Sequence, residues 1–240
     1  MKRYLVIFIV LFAMTNLASA REVDQIQFLT QEQFESMAED LGAALSYRSI
    51  TPAEHLGLTG FDLGAAITYT DFDNSEDWQN AVSSSSELDY VVAPKLYLHK
   101  GLPFGIDVGG FVGSSSNSGV DLFGVEVKYA LLKGGVAKPA IGLRAAYTQL
   151  DGIDQIDMDT ASLDISISKG FVMLTPYAGA GVVWVNATPE KEASFLDEED
   201  PQLSKFFAGL NVNLALLNLA FEADKTGDST SYSAKVGFRF

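Results

Sequence analysis

From Phe61 to the end, the chain alternates apolar and polar residues with a period of two. The last segment shows it best. Tyr232, Ala234, Val236, Phe238 and Phe240 share one parity, and Ser233, Lys235, Gly237 and Arg239 share the other. Leu163, Ile165 and Ile167 alternate in the same way with Asp164, Ser166 and Ser168, and Phe123, Val125 and Val127 with Glu126 and Lys128. Clusters of Gly, Pro, Asp, Asn and Ser divide the pattern near 61–72, 88–99, 104–114, 120–132, 140–151, 159–169, 175–187, 203–215, 218–226 and 230–240. Only 175–187 is ambiguous, because both its parities are apolar: Tyr177, Val183 and Val185 stand against Ala178, Val182 and Trp184. Segments of about ten residues suit a tilted strand crossing a hydrocarbon layer. An apolar outer face with a polar inner one is the signature of a transmembrane β-barrel. The sheet must close, since an open edge would leave backbone groups unpaired in lipid. The expected fold is all-β, a closed antiparallel barrel of about ten strands, with eight or twelve as open alternatives.

The first sixty residues follow other rules. Lys2 and Arg3, an apolar run from Tyr4 to Met14 and the small-residue site Ala18-Ser19-Ala20 have the order of a secretory signal, so residues 1–20 are expected to be removed. Arg21 rather than Cys follows that site, which argues against a lipoprotein. Residues 21–60 precede the barrel of 61–240. Phe34, Met37, Ala38, Leu41, Ala44 and Leu45 fall at helical spacing, and Thr30 with Gln33 forms a capping-box pattern. A short helix ending near Leu45 is expected. Its place, in the periplasm or folded back as a plug, stays open at this point.

Charge adds a sidedness. The chain has 31 acids, 16 bases and a formal net charge of −15, which loss of Lys2 and Arg3 would take to −17. That balance excludes a nucleic-acid binder, and the absence of cysteine excludes disulfides and thiolate chemistry. With the C-terminus placed in the periplasm, the periplasmic connectors are short and carry Lys100, Lys133, Lys138 and Lys169. The outer ones are longer and acidic, with Asp73–Glu87 and Thr188–Gln202 the longest. The polar parity inside the barrel holds the acids Asp62, Asp107, Glu126, Asp164, Glu222 and Asp224. It also holds the bases Lys95, Lys128, Arg144, Lys205, Lys235 and Arg239. Charges away from bulk water persist when paired, so the lumen reads as a salt-bridged, nearly closed core, with a narrow polar channel as the alternative. The apolar residues are assigned to a lipid-facing stripe rather than to a water-excluding core.

These features carry a resemblance. The signal pattern and the final strand, with Tyr232, Val236, Phe238 and the C-terminal Phe240 at alternate positions, resemble Gram-negative outer-membrane β-barrel proteins. In that class such a strand is read by the barrel-assembly machinery. The stretches His99–Asp107 and Phe221–Phe240 resemble an uncharacterised family of small outer-membrane barrels. The resemblance implies a location and no activity.

No motif argues for catalysis. Of the two histidines, His55 precedes the barrel and His99 falls near a periplasmic turn, where a solvated side chain is expected. Asp71–Asp77 departs from a calcium loop, lacking the glycine at its sixth position and the glutamate at its twelfth, so a solvated acidic loop is expected. Trp78, Trp184, Tyr69, Tyr90, Tyr147 and Tyr232 are expected in an outer aromatic girdle. Phe61, Tyr97, Phe104, Tyr129, Phe171, Tyr177 and Phe240 are expected in an inner one. The functional expectation is a non-enzymatic structural or surface-interaction protein of the bacterial outer membrane. It has no catalytic residues, metal or cofactor. Its partners are lipid and lipopolysaccharide, with divalent cations as bridges, and the assembly machinery. A narrow solute or cation channel and a lipid-modifying enzyme are the alternatives.

Overall fold

The computed structural model describes residues 23, 25–82, 88–115, 120–135 and 138–240. The signal at 1–20 and most of the serine-rich tips at 83–86 and 114–118 lie outside the described residues. Ten antiparallel strands close into one barrel, each paired with its neighbours in sequence and the last with the first. They are β1 (Phe61–Asp71), β2 (Tyr90–Gly101), β3 (Ile106–Ser115), β4 (Val120–Lys133), β5 (Ala140–Asp151), β6 (Ile156–Ser168), β7 (Leu174–Pro189), β8 (Gln202–Leu214), β9 (Leu217–Thr226) and β10 (Ser229–Arg239). Closure runs from Asp62 opposite Arg239 to Asp71 opposite Thr230. Phe61 and Phe240 complete it with reciprocal backbone bonds of 2.7 and 3.0 Å.

Alternation sets the faces as the period-two pattern predicts. In β1 the residues of Asp62's parity are buried, while Phe61, Leu63 and Ile67 point outward and are exposed. The connector after β8 is two residues long and that after β6 is five, whereas those after β1 and β7 are the longest. Short periplasmic turns and long outer loops orient the barrel.

The helix α1 (Gln31–Leu45) begins at the expected capping box, with Thr30 Oγ1 accepting from Gln33 N and Gln33 Oε1 accepting from Thr30 N at 3.1 Å. It lies at the outer end inside the ring of strands, against β7, β6, β10 and β5. A water-excluding core therefore exists, which corrects the expectation that the apolar residues form only a lipid-facing stripe. Phe34, Met37, Ala38 and Leu45 of the helix pack with Met158, Val183, Val185 and Leu203 of the strands and with Trp78 and Leu196 of the outer connectors. The ambiguity of 175–187 has its cause here. The inner face of β7 is apolar because α1 lies on it, so closely that a Cβ on Gly42 would come within 2.5 Å of Val185.

Beyond Leu45 the chain leaves the helix in extended form and descends through the lumen. Arg48 reaches Asp224 near the top, Ser49 reaches Glu126, and Lys128 Nζ donates to the carbonyls of Pro52 and Glu54. Lower still, the backbone N–H of Leu56 donates to Asp107 at 3.1 Å. At the periplasmic end Gly101 N donates to Gly60 O, and β1 begins. Of the two placements left open for residues 21–60, the described part occupies the lumen and its outer mouth. Its first described residue, Val23, bridges to Val82 in the connector between β1 and β2.

This topology places Phe28 outside and Leu58 at the periplasmic end, both about two-thirds exposed. Since the chain has no cysteine, Phe28→Cys in intact cells should react with a membrane-impermeant maleimide. Leu58→Cys should react only after the outer membrane is permeabilised. Equal labelling of the two would refute the threading.

Candidate functional site

The charged residues expected in the lumen all project inward, eleven of them buried and Arg239 partly so. They form distinct groups rather than one network. Lys235 Nζ lies 3.0 Å from Asp62 and Arg239 Nη1 3.3 Å from the same carboxylate. Lys128 stands 3.1 Å from Asp107. Arg144 donates through Nε to Asp164 at 2.8 Å and approaches Glu126 at 3.9 Å. Asp224 is taken by Arg48 at 2.6 Å, and its second oxygen accepts from Thr226. Three members have no ion pair among the described residues. Glu222 accepts from the Tyr177 hydroxyl at 2.9 Å, Lys205 donates to the carbonyl of Tyr47, and Lys95 Nζ sits 4.5 Å above the Phe111 ring.

Arg48 is the residue that sequence reasoning missed. Its Nε binds Asp224. Its two terminal nitrogens donate to the carbonyls of Ala43, Ala44 and Ser46 and to Ser231 Oγ. One guanidinium thus caps the carbonyl end of α1, where a cation is favoured, and joins that end to β9 and β10. A signal was present: Arg48 is the only base between Glu22 and Gly60, three residues past the end of an expected helix.

Asp40 anchors the outer cap. It is buried, has no cation partner among the described residues, and accepts from Trp78 Nε1 at 2.9 Å and Ser229 Oγ at 2.8 Å. The backbone N–H groups of Asp73 and Asn74 donate to it as well. Burial pushes its carboxyl above the usual range, and these hydrogen bonds oppose the shift. The Asp71–Asp77 loop, expected only as a solvated acidic segment, directs its amides at this carboxylate and buries Phe72 against Trp78. Its acids Asp73, Glu76 and Asp77 do face solvent.

Several aromatic assignments are corrected. Trp78 is fully buried in the cap, and Tyr97 and Tyr177 face the lumen, not the girdle. The other residues expected in the two girdles are outward, all exposed but for the half-buried Tyr69, as with Tyr90 stacked on Tyr69 at 5.0 Å and Phe61 beside Phe240 at 5.7 Å. His99 is also corrected. It is buried in the lumen, its ring lying on Tyr97 and its Nε2 3.4 Å from Glu126. Parity with Lys95 turns it inward. Glu126 stands between His99 and Ser49, so the imidazole does not reach that hydroxyl as a base would.

Inward rings fit because glycines lie directly across from them. His99 faces Gly109, Phe111 faces Gly124, Phe207 faces Gly179 and Tyr177 faces Gly209. A Cβ on any of the four glycines would stand 2.0–2.4 Å from the opposing ring. Each ring therefore lies flat on the neighbouring strand and leaves the axis to residues 46–57.

Arg48→Met should cost about 3–5 kcal/mol, the scale for a buried carboxylate that loses its partner, read as a lower urea midpoint of the barrel in vesicles. Adding Asp224→Leu should restore most of that loss, and no recovery would show that Arg48 acts elsewhere. Asp40 supplies a pH test. A carboxyl raised in the folded state contributes its full stability below its ordinary value of 3.8, and that contribution is lost as pH rises through the folded value. Protection of residues 73–82 in hydrogen exchange, corrected for intrinsic rates, should thus gain on that of Asp40→Asn as the pH falls toward 3.8.

No protein-family profile matches the chain, and no curated protein matches it. Among solved structures it is similar to the KdgM porin in complex with disordered oligogalacturonate, at 8% identity and a TM-score of 0.40, covering 75% of this chain and 99% of that one. It is also similar to the N-terminal β-barrel domain of Pseudomonas aeruginosa OprF, at 17% identity, a TM-score of 0.35, and 74% and 97% coverage. For OprG of the same organism the values are 11%, 0.36, and 79% and 99%. The wall itself, an apolar belt between two aromatic girdles around a polar, filled interior, is that of a β-barrel of the bacterial outer membrane.

Proposed function

We propose that this protein is a closed, non-enzymatic barrel that presents an acidic surface outside the cell and engages the lipopolysaccharide layer there through divalent cations. The observation that carries the proposal is the occupied lumen. Residues 46–57 fill the axis and are bonded to the wall at successive depths, which supports a structural role over conduction. Acids of the outer connectors, including Asp73, Glu76, Asp77, Glu192, Asp197, Glu198 and Asp200, are exposed. They supply oxygen ligands of the kind Mg²⁺ and Ca²⁺ take. A non-catalytic reading is further supported by His99, which is sealed from solvent and lipid. Tyr232, Phe238 and Phe240 lie exposed on one outward face, with Val236 half-buried on the same face. That row is open to the assembly machinery during biogenesis.

The test is conductance in planar bilayers. Purified, refolded wild-type protein should show no open-channel steps at any voltage. A variant lacking residues 21–57 should show discrete steps, provided it retains heat-modifiable gel mobility as a sign of a closed barrel. Steps from the wild type would replace this reading with the narrow channel. For the surface role, immobilised lipopolysaccharide should retain the wild type in Mg²⁺ and release it with EDTA; retention unaffected by EDTA would remove the cation bridge.

A further inference from the structure

The wall is uneven at one seam. β1 pairs with β2 along its whole length, from Phe61 opposite Lys100 to Asp71 opposite Tyr90. On its other edge β2 pairs with β3 only from Gly101 opposite Asp107 up to Leu96 opposite Val112. Above that point the ladder stops, although both strands continue. Pro94 contributes to the stop, because it has no N–H for a ladder and such residues belong at sheet edges. Gly113 passes so near this point that a Cβ on it would stand 2.8 Å from the Pro94 carbonyl oxygen, so the two strands touch there without pairing.

A groove of about 510 Å³ begins at the end of this ladder and runs across β3 and β4 to the edge of β5. That volume is within the range of small-ligand sites. Its walls are Pro94, Leu96, Val112, Leu122 and Phe123, and the Lys95 stem forms part of its lining while Nζ turns to the Phe111 ring. Leu96, Val112 and Phe123 belong to the outward, lipid-facing parity and are about half exposed. The groove is thus reached from the outer half of the bilayer. At its outer rim stand Gln149, Asp121 and Asp151. The two acids are direct cross-strand partners and exposed, and neither has a salt bridge among the described residues. Like charges placed opposite one another repel, and a cation arriving at the rim relieves that repulsion.

We infer that this groove binds a single-chain amphiphile with a positively charged head. The alkyl chain lies along Pro94, Leu96, Val112 and Phe123, and the head rests between Asp121 and Asp151. The chain covers apolar wall beside the seam, and the head meets the two carboxylates across β4 and β5. This deepens the proposed engagement of the outer leaflet by giving it a defined lipid-facing site. It does not depend on the lumen being closed to ions.

The full-length protein is reconstituted in phosphatidylcholine vesicles with a spin-labelled alkyl trimethylammonium or an alkyl sulfate of the same chain length. The motionally restricted fraction is read by electron paramagnetic resonance. In the wild type the ammonium should be restricted about fivefold more than the sulfate, the scale of one surface charge near a membrane. Val112→Trp, which fills the groove, should remove the excess restriction of the ammonium. Asp121→Asn with Asp151→Asn should keep the chain bound and equalise the two heads. Leu96→Trp serves as a second filling variant where Val112→Trp loses heat-modifiable mobility. Equal restriction of both heads in the wild type, or an undiminished signal in a folded filling variant, overturns the site. Lipopolysaccharide retention in Mg²⁺ is measured on the same variants. Its loss in the wild type would count against the proposed function and leave the groove standing.

Discussion

The structure turns on one guanidinium. A ten-stranded barrel encloses a volume too large to leave empty and too narrow for a domain, and here extended chain of the N-terminal region fills it. Arg48 fixes that segment. Its Nε and both terminal nitrogens donate, to the end of α1, to Asp224 and to Ser231. The helix end would otherwise present unpaired carbonyls to a buried space, and Asp224 would be a carboxylate with no ion-pair partner. The same side chain therefore removes two separate penalties, one from the helix and one from the wall.

Everything below Arg48 follows from limited room. Ile50 adopts a positive φ of 51°, a conformation that a β-branched side chain resists, at a point where it is wholly buried. Such strain persists where surrounding contacts over-determine the backbone. Tyr47, Tyr97 and Phe111 supply them, their ring centroids within 5.3–6.5 Å of one another. The glycines facing the inward rings belong to the same constraint: where the axis is occupied, a ring must lie on the wall, and the wall must lack a Cβ there.

Much of this was legible in the sequence. Strand positions and the inward set from Asp62 to Arg239 followed from period two, since below α1 the inward parity meets a polar lumen and the outward parity meets lipid. The helix and its capping box were local and equally readable. Tyr97 and Tyr177 were misassigned because aromaticity was weighed above parity, although Tyr97 shares its parity with Lys95 and His99. Trp78 and Asp40 were out of reach for another reason. Each takes its environment from the other, across 38 residues, and no period relates a loop to a helix. The half-open seam at Pro94 was hidden too, since pairing beyond a strand's end depends on its neighbour.

Threading also bears on the order of assembly. α1 sits within the outer mouth, while the chain that leads to β1 exits at the opposite end. A helix with side chains is about 10–12 Å across, and the passage it would have to travel is lined by rings and ion pairs. A preformed helix of that width does not pass through a cylinder whose axis admits only extended chain. The seam between β1 and β10, completed by Phe61 and Phe240, joins the two strands farthest apart in sequence, and its closing encircles the segment. The N-terminal segment is thus a mandrel as much as a plug: the bore is cut to its width, with rings laid flat on glycines wherever the segment passes.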